Sequence, residues 1–277
     1  MSEVSALPQR VLLIGFGNMG QALARGWLAR GLAKDAIGVV DPSAAARAVA
    51  DAMQLDAAPS LRRAGESAQF DVVLFAVKPD RLAETAADYR ALNGSGCVFL
   101  SIAAGKPIAA LAAVLGTDAA VVRAMPNTPA AIGRGMTVLC ANRVVTDAQR
   151  TACTELMSAV GRVEWLDRED LMDALTAVSG SGPAYLFLLI ECLAQAGHAA
   201  GLPAALAARL ATQTVAGAGD YAAQSDVDAA ELRRRVTSPH GTTQAALEIL
   251  MADEGGLEDL LRRAVLAATE RSRELSS

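Results

Sequence analysis

The sequence predicts an α/β protein, an N-terminal doubly wound parallel sheet joined to a second, all-helical C-terminal domain. Strand-like and helix-like segments alternate as far as Trp165, and a spaced-glycine turn joins the first strand to the first helix. Beyond Trp165 the strand signals cease and helical ones continue. The 277 residues are enough for two domains, 1–165 and 166–277, and an apolar content of 52% can fill a core in each.

Val11 to Ile14 is a short apolar strand feeding Gly15-Phe16-Gly17-Asn18-Met19-Gly20, after which helix-forming residues run to Ala29. Gly15 permits the tight turn, Gly17 lets backbone N–H groups approach a pyrophosphate, and Gly20 lets the helix pack closely on the strand. The helix N-terminus, with unpaired N–H groups and partial positive charge, then faces the anion. This is the opening of a Rossmann-type dinucleotide-binding unit. Ile37 to Val40, Phe70 to Val77, Val98 to Ile102 and Ala120 to Ala124 read as further parallel strands. Ser43 to Met53, Pro79 to Leu92 and Pro107 to Leu115 read as the helices between them, with proline tolerated at a first helical position. Thr137 to Cys140 reads as one more strand. Thr146 to Val160 reads as a helix with a Thr-x-x-Gln capping box, closed by Gly161.

The helical domain divides into segments of about 168–178, 183–200, 203–218, 226–236, 242–253 and 257–274. Leu186, Leu189, Ile190, Leu193 and Ala196 recur at helical spacing while Tyr185, Phe187 and Leu188 extend apolar character to other faces, so this helix is expected to be buried on several sides. A homodimer built through this domain would bury it.

A net charge of −5 and a pI near 5.2 argue against a nucleic-acid surface, and Arg233-Arg234-Arg235 reads as one solvated helix turn. The uninterrupted apolar run Ala184 to Ile190 is too short to span a bilayer, and the N-terminus lacks a basic-then-apolar signal pattern. A cytoplasmic location is therefore expected. The four cysteines, Cys97, Cys140, Cys153 and Cys192, are widely spaced, indicate neither metal site nor disulfide framework, and read as small core residues.

Open parallel sheets bind ligands beyond the carboxyl ends of their strands. Ala76-Val77-Lys78-Pro79, Ala103-Ala104-Gly105 and Met125-Pro126-Asn127-Thr128-Pro129 occupy such ends, where a nicotinamide would lie. Their small residues leave room for the ring, and Asn127 and Thr128 offer hydrogen bonds to its carboxamide or ribose. Asp41 ends the second strand, where an acid accepts the adenosine ribose hydroxyls of NAD and repels a 2′-phosphate. Ser43 and Arg47 follow, able to hold that phosphate, and Asp41 facing elsewhere is the alternative. A second anion site is offered by Thr237-Ser238-Pro239-His240-Gly241-Thr242-Thr243, which opens a helix. Backbone N–H groups of Gly241, Thr242 and Thr243, with nearby hydroxyls, would form a carboxylate nest.

The glycine turn, Ala76-Val77-Lys78-Pro79, Met125-Pro126-Asn127-Thr128-Pro129, Ser179-Gly180-Ser181-Gly182-Pro183-Ala184-Tyr185 and Ser238-Pro239-His240-Gly241-Thr242-Thr243 together resemble pyrroline-5-carboxylate reductase, in order and over nearly the whole chain. The resemblance implies NAD(P)H-dependent reduction of the C=N bond of 1-pyrroline-5-carboxylate to L-proline, the last step of proline biosynthesis, by a dimer-based oligomer interleaved through the helical domain. It assigns the hydroxyl of Thr243 to the pyrroline nitrogen, the backbone of Gly241 and Thr242 to the substrate carboxylate, and Asp226 to the vicinity of the amine. Ser60 falls near the family's adenine-side asparagine. The family commonly uses NADPH, the favoured cofactor here, with NAD possible. Where the family has glycine this chain has His240, which puts the loop's backbone torsions in question. A 3-hydroxyacid dehydrogenase also begins with such a glycine turn, but it needs a base in its helical domain. The lysines here, Lys34, Lys78 and Lys106, all lie in the first half, and the two histidines are His198 and His240.

Overall fold

The computed structural model describes residue 8 and residues 10–61 and 69–276. The chain divides into two compact units. One runs to Gly180 and takes in the last turns of the chain from Thr269, and the other is Ser181–Ala268. The boundary expected at 165 therefore falls inside the first unit.

In the first unit the elements follow the order β1 (Val11–Ile14), α1 (Asn18–Ala29), β2 (Ile37–Val40), α2 (Ala44–Ala52), β3 (Asp56–Ala58), β4 (Val72–Phe75), α3 (Leu82–Ala87), β5 (Val98–Ser101), α4 (Ile108–Leu115), β6 (Val121–Met125), β7 (Gly135–Ala141), α5 (Asp147–Ser158) and β8 (Gly161–Trp165). They form one sheet in the order β3-β2-β1-β4-β5-β6-β7-β8. The doubly wound class is borne out, because alternate strand residues feed a core on each face. Val11 and Leu13 join Leu23, Trp27, Ala50 and Leu156 from α1, α2 and α5, whereas Leu12 and Ile14 join Leu82, Leu111 and Leu115 from α3 and α4. Trp27 is buried, and its indole N–H donates to the carbonyl of Leu156 at 2.9 Å.

Several sequence expectations need correction. The sheet is not wholly parallel, since β7 runs antiparallel to β6. Only the 3₁₀ turn Thr128–Ile132 lies between them, and so short a return supplies no crossover for a parallel partner. β3 and β8 were not anticipated. Asp-Ala-Ala in β3 lacks the β-branched and aromatic residues that mark strands. Gly161 does not end α5; it starts β8 at φ +153°, where a Cβ would lie 2.0 Å from the Gly135 carbonyl oxygen. Gly161→Ala is accordingly expected to cost about 3 kcal/mol or more through backbone strain and clash. That corresponds to a fall of roughly 6–12 °C in thermal midpoint, which calorimetry would read; a shift under 2 °C would show that the two strands separate freely. Pro107 sits one position earlier than expected, as the N-cap of α4.

After β8 the first unit contains a 3₁₀ turn at Glu169–Leu171, the short helix α6 (Met172–Leu175) and a π-helical turn, Thr176–Gly180. One oxygen of Glu169 accepts from the Arg123 guanidinium of β6 at 3.0 Å and from the first N–H of α4 at 2.8 Å, pinning this segment to the sheet. The hydroxyl of Ser272 donates to Asp173 at 2.6 Å.

The second unit holds α7 (Gly182–Ala199), α8 (Ala204–Gln224), α9 (Ala229–Arg235), α10 (Thr242–Leu250) and the first part of α11 (Leu257–Ser276). α7 packs on α8 through small residues, with Ala207 and Ala211 buried. The burial expected for α7 is not met within one chain. Phe187 is 63% exposed, Leu188 58% and Leu186 52%. Cys192 is exposed on the same helix, unlike the buried Cys97, Cys140 and Cys153. Among the described residues, Glu169–Ala199 is long and apolar enough to cross a membrane by length and composition, a property that the unbroken run Ala184 to Ile190 did not reveal.

Candidate functional site

The glycine turn sits at the crevice between β1 and β4, where the strand order reverses. Gly15 has φ +92° and donates its N–H to the Val40 carbonyl at 2.8 Å. A Cβ there would stand 2.5 Å from the Ala76 carbonyl oxygen, so only glycine lets the turn lie against the loop after β4. Gly17 caps α1 without any side-chain cap, and a Cβ on it would meet nothing within 4 Å. The space in front of the helix N-terminus is thus open for an anion. Gly20 makes its close approach to the turn itself, since its Cβ would meet the Gly15 carbonyl oxygen at 2.5 Å. Phe16 is buried, and its N–H is spent on the Asp41 carboxylate at 2.7 Å, which leaves the outward donors to the exposed Gly17 and Asn18 and the half-buried Met19.

A cavity of about 510 Å³ opens from this turn. Gly15, Gly17, Asp41, Ser60, Ala76, Val77 and Lys78 line it, as the sequence led one to expect. Pro42, Pro59, Leu61, Arg81 and Tyr89 line it too, and sequence reasoning missed them. Pro59 follows the unrecognised β3, and Tyr89 lies beyond α3 behind no motif. Burial, with Asp88 nearby, raises the Tyr89 hydroxyl well above the usual tyrosine range, so it stays protonated. A glycine cradle with open N–H groups beside a cavity of this size fits a dinucleotide.

Two expected contacts are already engaged. The Ser43 hydroxyl caps α2 by accepting from the Ala46 N–H at 3.4 Å, and Pro79 opens a 3₁₀ turn. Asn127 donates through its amide to the Ser179 carbonyl at 3.1 Å and accepts from the Met136 N–H at 2.8 Å, so it ties the β6 loop to the π turn and to β7. Thr128 and Ala104 are exposed and Ala103 is buried, none of them on the cavity wall.

In the second unit α10 begins at Thr242 with Gly241 as N-cap and no side-chain cap among the described residues. The first-turn N–H groups of Thr242 and Thr243 have no intrahelical acceptor and are suited to an anion. The Gly241 N–H is not among them. It closes the preceding turn by donating to the Ser238 carbonyl at 3.1 Å, and a Cβ on Gly241 would meet the Ser238 hydroxyl at 2.4 Å. Asp226 is exposed between α8 and α9, beside Asp228, which caps α9. Glu231 takes both Arg234 and Arg235, at 2.6 and 2.9 Å, and these hydrogen bonds hold its carboxyl below the usual range.

His240 adopts φ +58°, the left-handed conformation that glycine reaches without cost, and its N–H donates to the Gln244 side chain at 2.8 Å. The backbone does here what the family glycine would do, with some strain. His240→Gly is therefore expected to keep kcat/KM within severalfold; a loss of two orders of magnitude would show that the imidazole takes part.

A family model described as pyrroline-5-carboxylate reductase dimerisation matches residues 169–275, and one described as NADP oxidoreductase, coenzyme F420-dependent, matches residues 10–105. The pyrroline-5-carboxylate reductase of Pseudomonas aeruginosa is 44% identical over 268 residues, 96% of this chain and 97% of its own. That of Glycine max is 34% identical over 279 residues, covering 99% and 100%. Among solved structures, a pyrroline-5-carboxylate reductase from Coxiella burnetii superposes with a TM-score of 0.91 at 34% identity over 97% of this chain and 98% of that one. The Plasmodium falciparum pyrroline carboxylate reductase with NADP bound gives 0.82 at 29% identity, over the same shares. With relatives of this identity along its whole length, the chain belongs to the pyrroline-5-carboxylate reductase family.

Proposed function

We infer that this chain reduces 1-pyrroline-5-carboxylate to L-proline with NADPH, the closing step of proline biosynthesis. The observation that carries the reading is the uncapped N-terminus of α10, an anion site in a chain whose other unit cradles a dinucleotide. Gly15 to Gly20 would hold the pyrophosphate, with Asp41, Ser43 and Ser60 on the adenosine side. Ala76 to Pro79, Ala103, Ala104 and Thr128 would frame the nicotinamide half, and Asn127 would keep that frame in register. When bound, the reduced nicotinamide supplies the hydride that the C=N carbon accepts.

The residues of this chain mainly have to position the substrate. The Thr242 and Thr243 N–H groups hold the carboxylate, and the Thr243 hydroxyl holds the ring nitrogen. Ser238 shapes the turn beneath them and Asp226 favours a cationic amine. A cyclic imine takes its proton from water near neutral pH, so no strong acid is required of the protein. Following NADPH and NADH absorbance with the pyrroline and with a panel of 3-oxo acids tests the reading. Turnover confined to the pyrroline, faster with NADPH, is expected. Activity on an oxo acid alone would overturn the substrate assignment and leave the nucleotide site standing.

The exposed apolar face of α7, inside the region matched by the dimerisation model, supports a homodimer through the helical unit. Sedimentation is expected to give a species of at least twice 28.5 kDa; a monomer alone would remove the claim.

A further inference from the structure

Asp41 stands where an acidic side chain ordinarily reads the ribose hydroxyls of NAD and turns away a 2′-phosphate, in a chain whose relatives include a structure with NADP bound. Its contacts resolve the conflict. Oδ2 accepts from the Phe16 N–H at 2.7 Å, and Oδ1 accepts from the Ser43 N–H at 2.8 Å. Both oxygens are therefore engaged by main-chain donors, one in the glycine turn and one in the loop between β2 and α2. In the same loop, the Arg47 guanidinium donates to the carbonyls of Asp41 and Pro42, each at 2.8 Å.

We propose that Asp41 is a positioning residue, which brackets the phosphate turn to the loop after β2 and does not select the cofactor at the ribose. The bracket fixes the peptide between Gly15 and Phe16, so that the N–H groups further along the turn face the pyrophosphate. The two N–H donors also spread the carboxylate charge, which lowers its repulsion toward a 2′-phosphate. Removing the bracket should then loosen both cofactors alike, because the pyrophosphate is common to them.

The inference rests on a nicotinamide dinucleotide as cofactor, and its test reads nucleotide binding without any pyrroline, so a wrong substrate assignment would leave it untouched. Fluorescence titration of NADPH and of NADH into the full chain is made for the parent, Asp41→Ala and Asp41→Asn. Losing two hydrogen bonds to a charged acceptor should raise both Kd values by about tenfold or more in Asp41→Ala. Asp41→Asn keeps one accepting oxygen and should recover part of that loss, which a mere folding defect would not do; it also serves if the alanine variant fails to fold. The NADPH-to-NADH ratio should hold within about threefold in both. Weaker NADH with unchanged or tighter NADPH would make Asp41 a reader of the ribose and overturn the proposal, as would unchanged affinity for both.

Discussion

Gly15→Ala is expected to weaken NADPH binding by at least about 100-fold, the scale of a few kcal/mol of strain and clash. At φ +92° any side chain is strained, and the new Cβ would lie 2.5 Å from a backbone oxygen that belongs to the neighbouring strand's loop. Relief requires moving either the glycine turn or Ala76 to Lys78, and both line the same cavity. The N–H bond to the Val40 carbonyl, which continues the ladder from β1 to β2, would be disturbed with it. Fluorescence titration with NADPH checks this, with circular dichroism to show that the sheet still forms. A Kd within threefold of the parent would show that the turn is not where the nucleotide binds.

Thr243→Ala is expected to slow turnover by roughly 10- to 1000-fold, the scale of removing one well-placed hydrogen bond from the reacting group. The backbone N–H groups of α10 survive the change, so the proposed carboxylate nest is kept and only the proposed contact to the ring nitrogen is lost. The loss should therefore appear in kcat with pyrroline more than in the KM for NADPH, and Thr243→Ser should restore most of it. Steady-state kinetics on the three proteins decides; an unchanged rate in the alanine variant would remove Thr243 from the reacting centre.

The parts of the molecule that were legible in the sequence are those in which a local rule and the tertiary environment agree. β1 and β2 lie where short apolar runs placed them, and the Thr146 capping box of α5 is present with both of its hydrogen bonds. The glycine turn was legible because its residue types answer to sterics within a few positions of the chain. What stayed hidden depended on distant partners. Gly161 looks like a helix stop until Gly135 is seen against it. Asn127 looks like a ligand donor until Ser179 and Met136 claim its amide. The Gly241 N–H is the exception, because its acceptor, the Ser238 carbonyl, lies only three residues back, and residue types alone do not show that the turn closes there. Cys192 was misread as core because α7 is largely apolar, and no second surface covers it among the described residues. Burial raises the thiol of Cys153 to about 12, and those of Cys97 and Cys140 are also raised, so the core cysteines are protonated and poorly nucleophilic near neutral pH.

The central claim, reduction of the pyrroline C=N bond, is tested most directly by following the transferred hydrogen. The enzyme is supplied with 1-pyrroline-5-carboxylate and with NADPH deuterated at the transferable position of the nicotinamide, and the product is isolated for mass and NMR analysis. The account predicts L-proline carrying one deuterium on the ring carbon beside nitrogen and remote from the carboxylate. Proline without deuterium at that carbon, or oxidation of the cofactor with no proline formed, would contradict it.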